Sequence, residues 1–149
     1  MTIDAVDAIF LKQALAQAQK SYDEGGLPIG AVMVEDGVAI GAGHNRRVQD
    51  GDPTAHGEMV AIRRCLAAHG SRSLRGCTLY TTGEPCAMCM GAILWCHIGR
   101  LVFAASVQQL STKLNQIMIS SADLAAKAPF APIEITGGVL ADEAMALFK

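Results

Sequence analysis

The sequence lacks several features that would place the chain in other protein classes. It has no run of about 18 apolar residues, which argues against a membrane-spanning helix. Residues 1–4 lack the basic-then-apolar layout of a secretory signal peptide, so we expect a cytoplasmic protein. No internal repeat or low-complexity tract is visible. The length of 149 residues suits one domain, which we place at residues 1–149.

An excess of positive charge is also absent. Twelve Lys and Arg residues stand against 14 Asp and Glu residues, which gives a formal net charge of −2. A dedicated nucleic-acid-binding domain usually has a pI above about 9. We therefore expect a small-molecule substrate and no nucleic acid. Four arginines could nevertheless form a local phosphate-binding groove, or simply a solvated face: Arg46, Arg47, Arg63 and Arg64.

Cysteine is present in an odd number, which does not suit a disulfide framework. The five cysteines are Cys65, Cys77, Cys86, Cys89 and Cys96. In a cytoplasmic chain this number directs attention to metal or redox chemistry. We expect Cys65, Cys77 and Cys96 to be small buried apolar residues.

Local patterns predict strands that alternate with helices. Helices are predicted over residues 4–24, 56–69, 86–98, 121–127 and 141–148. Strands are predicted over residues 31–34, 38–40, 77–82, 101–105 and 133–136. Residues 43–53 are predicted to form a polar loop, and residues 106–120 show no clear period. The pattern predicts a sheet between helical layers, in which the strands at 101 and 133 are parallel.

Two details of this prediction concern the second half of the chain. Residues 87–98 are almost entirely apolar, so we expect their helix to be buried on all sides. Ser121 is predicted to cap the short helix over residues 121–127.

The first two strands flank Asp36-Gly37, a strong hairpin signal.

Two segments combine metal-ligand and acid–base residue types at close spacing. They are Pro-Thr-Ala-His-Gly-Glu at 53–58 and Glu-Pro-Cys-Ala-Met-Cys at 84–89. Cys86 and Cys89 place both sulfurs on one side of a first helical turn, where the helix N-terminus lowers thiol pKa values. With His56 as third ligand, the fourth tetrahedral position stays open for water, as in a catalytic zinc site. We therefore predict one Zn²⁺ ion per chain.

Glu58 is the predicted catalytic residue of this site. Two residues apart on a regular helix means about 200° of rotation, so His56 and Glu58 would face apart. His56 must therefore lie at an irregular first turn, which the preceding Asp52, Pro53 and Thr54 favour. Glu58 would then move protons from the zinc-activated water to the substrate.

Other interpretations of these residues remain open. Cys96 and His97 lie roughly 10–12 Å along the helix from its first turn, beyond reach of the same metal. His44 is a conceivable fourth ligand that would make the site structural. A lone Cys-x-x-Cys is also typical of a redox pair, but here it is accompanied by His-x-Glu. A non-catalytic, zinc-stabilised binding protein has no need of Glu58.

The His-x-Glu and Pro-Cys-x-x-Cys segments resemble the signature of the cytidine deaminase-like superfamily. The resemblance extends beyond this signature. Residues 26–32 and 43–45 resemble free-base cytosine and guanine deaminases, and residues 91–95 resemble guanine deaminases. Residues 52–56 and 133–140 are similar to bacterial tRNA adenosine deaminases.

This resemblance implies an α/β fold, with a three-layer αβα arrangement around a central mixed five-stranded sheet, and a homodimer. It also implies that Asn45 hydrogen-bonds the substrate ring, and that the backbone at Gly57, Glu84 and Cys86 contacts the substrate. Trp95 is either core packing or a substrate-binding pocket wall. Guanine deaminases carry an acidic ring-reading residue after the fourth strand, but residues 100–121 contain no Asp or Glu.

Together these observations predict hydrolytic deamination of a free nucleobase-type heterocycle, cytosine- or guanine-like, with release of ammonia. The alternatives are a tRNA adenosine-to-inosine deaminase and, from another class, the non-catalytic zinc-stabilised binding protein.

Overall fold

A computed structural model describes residues 4–149 and contains a mixed five-stranded sheet. Its strands are β1 (Gly30–Glu35), β2 (Val38–His44), β3 (Cys77–Gly83), β4 (Arg100–Ala105) and β5 (Glu134–Thr136). The helices are α1 (Ala5–Asp23), α2 (Arg47–Asp50), α3 (Gly57–His69), α4 (Ala87–Trp95), α5 (Val107–Leu110), α6 (Ser121–Ala126) and α7 (Ala141–Ala146). The predicted α/β class and the five predicted strands are confirmed.

The strand order in the sheet is β2-β1-β3-β4-β5. Strand β1 is antiparallel to both β2 and β3, whereas β4 is parallel to β3 and to β5. The parallel pairing predicted for the strands at 101 and 133 is therefore confirmed. The crossover between them contains α5 and α6, as a parallel connection requires.

Side chains of the sheet alternate between two apolar layers, because successive residues of a strand point to opposite faces. Ala31 and Met33 of β1 pack with residues of α3 and α4, whereas Val32 and Val34 pack with residues of α1 and α7. The sheet is thus covered by helices on both faces, as predicted. Close approach requires glycine at one contact: a Cβ atom at Gly43 would lie 2.6 Å from the backbone nitrogen of Ala61 in α3.

Helix α4 differs from its prediction in length and in burial. It ends at Trp95 because His97 adopts a left-handed conformation (φ 57°). The Ile98 N–H donates to the Ile93 carbonyl and the His97 N–H to the Leu94 carbonyl, which together form a Schellman motif. The helix is not buried on all sides, since Trp95 is 73% exposed.

Smaller predictions need correction as well. Ser120, not Ser121, caps α6: its hydroxyl accepts a hydrogen bond from the Asp123 N–H at 3.1 Å. Cys65 and Cys77 are buried as expected, but Cys96 is only half-buried, because it lies at the exposed end of α4. The predicted polar loop at residues 43–53 contains the end of β2 and all of α2.

Two expectations concerned membranes and targeting. Among the residues that the structure describes, none of the helices has the length and apolar character needed to cross a membrane. The expectation drawn from residues 1–4 rests mainly on residues 1–3, which lie outside the described part of the chain.

Candidate metal centre and pocket

His56 and Cys86 each stand immediately before a helix, in extended backbone. His56 has φ −70° and ψ 156° before α3, and Cys86 has φ −66° and ψ 172° before α4. The irregular position predicted for His56 is confirmed. It allows His56 and Glu58 to line one pocket despite their spacing.

Three donor atoms converge between these two helix starts. The Sγ atoms of Cys86 and Cys89 each lie 3.6 Å from Nδ1 of His56. Among residues 4–149, these three residues form the one group of His, Cys, Asp or Glu side chains with donor atoms close enough to hold a metal ion. Tetrahedral coordination with zinc–sulfur bonds of about 2.3 Å and zinc–nitrogen bonds of about 2.0–2.1 Å separates sulfur from nitrogen by about 3.6 Å. The donor spacing therefore fits zinc.

The electrostatics of the two thiols also favour a cation. The hydrogen bond from Cys89, helped by His56, lowers the pKa of the Cys86 thiol to about 4. The pKa of Cys89 is raised instead, chiefly by its hydrogen bond to Cys86 and by burial. The hydrogen bond to Cys86 also raises the pKa of His56. A thiol with a lowered pKa, such as that of Cys86, readily supplies the thiolate form that binds a metal ion.

Glu58 lies beside this donor set on the first turn of α3. Its side chain is 3% exposed, and burial raises the pKa of its carboxyl group to about 7. A carboxyl group with such a pKa can both accept and release a proton near neutral pH.

One pocket contains His56, Glu58 and Cys86, together with the predicted substrate residues Asn45 and Glu84. The predicted residues Gly57 and Trp95 are not among its lining residues. Gly57 is buried, and an added Cβ atom would lie 3.1 Å from the Ile29 carbonyl oxygen.

Trp95 is located in a different part of the surface. It lines an apolar groove with Leu94, Leu124 and Phe130, and its ring packs edge-on against that of Phe130, with centroids 5.1 Å apart. Its interpretation as core packing is wrong, because α4 ends at this residue with its side chain in solvent. Trp95 does not line the pocket that contains His56 and Glu58 of its own chain.

His44 does not join the donor set. Its Nε2 lies 3.0 Å from Oε1 of Glu24, and its Nδ1 lies 3.4 Å from Oε1 of Gln17. Both ring nitrogens therefore have partners on the opposite side of β2 from the metal ligands. The next residue, Asn45, accepts a hydrogen bond from the Arg47 N–H at 3.1 Å through Oδ1 and remains in the pocket.

Sequence reasoning missed one wall of the pocket. That wall comes from the segment without clear period, and its lining residues are Leu110, Leu114, Asn115 and Gln116. Leu27 and Ile29 supply further apolar surface. A local signal was available at the start of this segment, since Ser106 and Gln109 form a capping box for α5.

The four arginines do not form a free basic groove. Arg46 pairs with Asp50 at 3.1 Å, and Arg63 lies 3.7 Å from Asp52. Arg64 donates to the Ala42 carbonyl at 3.2 Å. Arg47 is exposed and lines the pocket mouth.

Comparison with known proteins agrees with this geometry. A model of the cytidine and deoxycytidylate deaminase zinc-binding region matches residues 5–105. The chain is 40% identical over 148 residues to a probable cytosine deaminase of Schizosaccharomyces pombe, covering 93% of this chain and 88% of that protein. It is 41% identical over 96 residues to a tRNA-specific adenosine deaminase of Aquifex aeolicus, covering 64% of each.

Solved structures show the same similarity. A guanine deaminase from Nitrosomonas europaea matches with a TM-score of 0.87 and 27% identity, over 99% of this chain and 85% of that one. A structure from work on tRNA:A34 deaminases matches with a TM-score of 0.82 and 31% identity, over 93% and 98%. The chain therefore belongs to the cytidine and deoxycytidylate deaminase zinc-binding family, whose members are deaminases acting on C–N bonds.

Proposed function

We propose that the chain catalyses hydrolytic deamination of a free nucleobase-type ring, cytosine- or guanine-like. Water replaces the exocyclic amino group by an oxo group, and ammonia is released. The observation that carries this proposal is a buried carboxyl group, Glu58, which lines one pocket with His56 and Cys86. These two residues and Cys89 form the donor set. A purely structural metal site would not require an acid–base group beside it.

In this proposal His56, Cys86 and Cys89 would hold one zinc ion. The chemistry supplied by bound zinc is Lewis-acid activation of water, whose pKa falls to about 7. Glu58 accepts a proton from the attacking water and delivers it to a ring nitrogen. Glu58 then carries the second proton to the amino group, which leaves as ammonia. General acid–base transfer of this kind contributes about 10²–10⁴-fold in rate.

The remaining pocket residues bind and orient the ring. Leu27, Ile29 and Leu110 present apolar surface suited to the faces of a flat heterocycle. The Asn45 amide hydrogen-bonds the ring, and the backbone at Gly57 and Glu84 contacts it, roles that these positions share with the family pattern. Trp95 has no substrate role in the pocket of its own chain.

The charge distribution supports a free ring over a polynucleotide. Three of the four arginines contact Asp50, Asp52 or the Ala42 carbonyl. A protein that binds nucleic acid needs several cations available for phosphates, whereas Arg47 is the one Lys or Arg residue among the described residues that line the pocket. Together with the net charge of −2, this favours a small neutral substrate.

The second candidate function is deamination of adenosine in tRNA. Similarity to tRNA-specific adenosine deaminases supports it, as does the position of Arg47 at the pocket mouth, where it could meet a phosphate. Salt-dependent binding of tRNA in the nanomolar range, measured by filter binding, would favour this candidate.

We also propose that the protein is a cytoplasmic homodimer. The groove at Trp95 is mostly apolar, and Trp95 itself exposes 73% of its surface. An exposed apolar groove of this kind is typical of a protein–protein interface.

The test is ammonia release from free bases, pterins, triazines and nucleosides, with zinc-loaded native protein and the Glu58→Ala variant. Turnover of a free base that disappears in the variant would support the proposal. Inosine formation in tRNA without turnover of any free base would favour the second candidate. Zinc binding without turnover of any ring or of tRNA would leave a zinc-stabilised binding protein.

A further inference from the structure

The buried carboxylate of Glu84 accepts hydrogen bonds from both ends of the segment that forms the pocket wall at Leu110, Leu114, Asn115 and Gln116. We name residues 107–121 the wall segment. Oε1 of Glu84 accepts a hydrogen bond from the Val107 N–H at 2.9 Å. Oε2 accepts two more from Ser121, at 2.8 Å from its N–H and at 2.7 Å from its hydroxyl group. Glu84 and Ser121 are both buried. Hydrogen bonds to an ionised acceptor are roughly twice as strong as neutral ones.

The middle of the wall segment has little support of its own. Among the described residues, 115–119 make a single hydrogen bond, from the Ile119 N–H to the Ile117 carbonyl at 2.8 Å, which lies inside the segment. Asn115 and Gln116 nevertheless line the pocket. Their positions therefore depend on how the two ends of the segment are fixed.

The same residue connects this wall to the metal ligands. The Glu84 N–H donates to the Ala105 carbonyl at 2.7 Å at the end of β4, and Cys86 follows two residues later. A shift of the Glu84 side chain would thus displace the wall relative to the donor set. Both carboxylate oxygens of Glu84 are occupied by the donors of Val107 and Ser121.

We infer that Glu84 is a positioning residue for ring recognition: its carboxylate fixes both ends of the wall segment and so sets where Asn115 and Gln116 meet the substrate. Both side chains are amides, which offer a donor and an acceptor each and can match a ring edge that presents both. The inference rests on the proposed deaminase function. It assigns Glu84 an effect on substrate binding and selectivity that is separate from the proton transfer by Glu58.

The variant Ser121→Ala tests this inference without altering the segment that carries the cysteine ligands. It removes the hydroxyl group that donates a hydrogen bond to the Glu84 carboxylate and leaves a side chain of similar size. We expect KM for the preferred ring to rise about tenfold, the loss typical of one hydrogen bond to a charged group, with kcat within about threefold. The ratio of kcat/KM for that ring to kcat/KM for a second ring should fall. Ser111→Ala is the matched control, because the Ser111 hydroxyl donates only to the Gln108 carbonyl, at 2.7 Å.

Hydrogen exchange supplies a readout besides activity. In the zinc-loaded protein, Ser121→Ala should speed amide exchange across residues 111–119, and Ser111→Ala should leave residues 115–119 unchanged. The variant Glu84→Gln, which replaces an acceptor oxygen by a donor, should show the larger change with zinc content retained. Loss of zinc from the Glu84→Gln variant would show that Glu84 supports metal binding, and this result would overturn the inference.

Other outcomes are also decisive. Unchanged exchange in Ser121→Ala, or a fall in kcat at constant KM and constant selectivity, would contradict a positioning role. Inactivity of the native protein on every ring would refute the proposed function instead. The exchange measurement would then still decide whether Glu84 fixes the wall segment.

Discussion

Asp7 and Arg100 form a two-point ion pair, in which Nη1 and Nη2 of the guanidinium group each lie 2.7 Å from a different carboxylate oxygen. Asp7 is 2% exposed, and it also accepts a hydrogen bond from the Tyr80 hydroxyl group at 2.8 Å. The pair thereby connects the first turn of α1 to β3 and β4, 73 and 93 residues away.

This pair should make stability depend on pH in the acid range. The Arg100 guanidinium, with help from Tyr80, lowers the pKa of Asp7 below its usual value, although burial opposes the shift. A depressed carboxyl pKa contributes stability above the unfolded-state pKa of about 3.9, and this contribution is lost as pH falls through the folded-state pKa. Asp7→Asn should therefore lower the unfolding free energy by about 2–3 kcal/mol at pH 7.

Urea denaturation at several pH values checks this prediction. Between about pH 5 and pH 3, the native protein should lose stability more steeply than Asp7→Asn. The control is Glu134→Gln, because Glu134 is 70% exposed and lies 3.5 Å from Nε of the same arginine. It should change the unfolding free energy by less than about 1 kcal/mol. If the unfolding free energies of the native protein and Asp7→Asn fell in parallel with pH, the stabilising role of the ionised Asp7 carboxylate would be contradicted.

The variant Glu58→Gln should separate chemistry from metal binding. The amide has nearly the shape of the carboxyl group but cannot accept and release the proton, so kcat should fall by about 10²–10⁴-fold. Zinc content should stay that of the native protein, since Glu58 is not part of the donor set. Ammonia release and elemental analysis measure the two effects. The control is Glu143→Gln in α7, an exposed position away from the pocket.

A drop in zinc content in Glu58→Gln would indicate that this carboxyl group is a ligand. Full activity in the variant would refute its catalytic role.

Zinc stoichiometry should depend on the donor set and not on cysteine in general. We expect about one zinc ion per chain in the native protein. Cys89→Ser should weaken zinc binding by more than about 100-fold, because even loss of an outer-shell partner costs 10–100-fold. Cys96→Ser should keep the metal, since Cys96 lies at the far end of α4. Competition with a chromogenic chelator measures the zinc affinity of both variants. An equal loss of zinc affinity in Cys89→Ser and Cys96→Ser would contradict the predicted donor set.

The metal site could be predicted from the sequence because its geometry is local. Cys86 and Cys89 lie within one helical turn, and a break before Gly57 is enough to bring His56 and Glu58 to one side. Only the meeting of the two segments needs the sheet, and parallel strands commonly place such loops at one edge.

The pocket wall could not be predicted, because its position depends on distant contacts. Val107 and Ser121 bind a carboxylate 23 and 37 residues away, and no period within residues 106–120 reports this. The exposed end of α4 was missed for a different reason. An apolar helix has the same sequence pattern whether its own chain or another one covers it, so Trp95 was expected to be buried.

The exposure of Trp95 leads to the last prediction, on self-association. If the groove at Trp95 is the dimer interface, Trp95→Glu should place a charge in apolar surface and convert the dimer to a monomer, because charged residues are depleted from interface cores. Sedimentation velocity at the protein concentration of the activity assay measures the change. Val48→Glu is the matched control, since Val48 is 77% exposed in α2 and does not line this groove. It should leave the dimer intact, whereas a native monomer, or a dimer in both variants, would refute this interface.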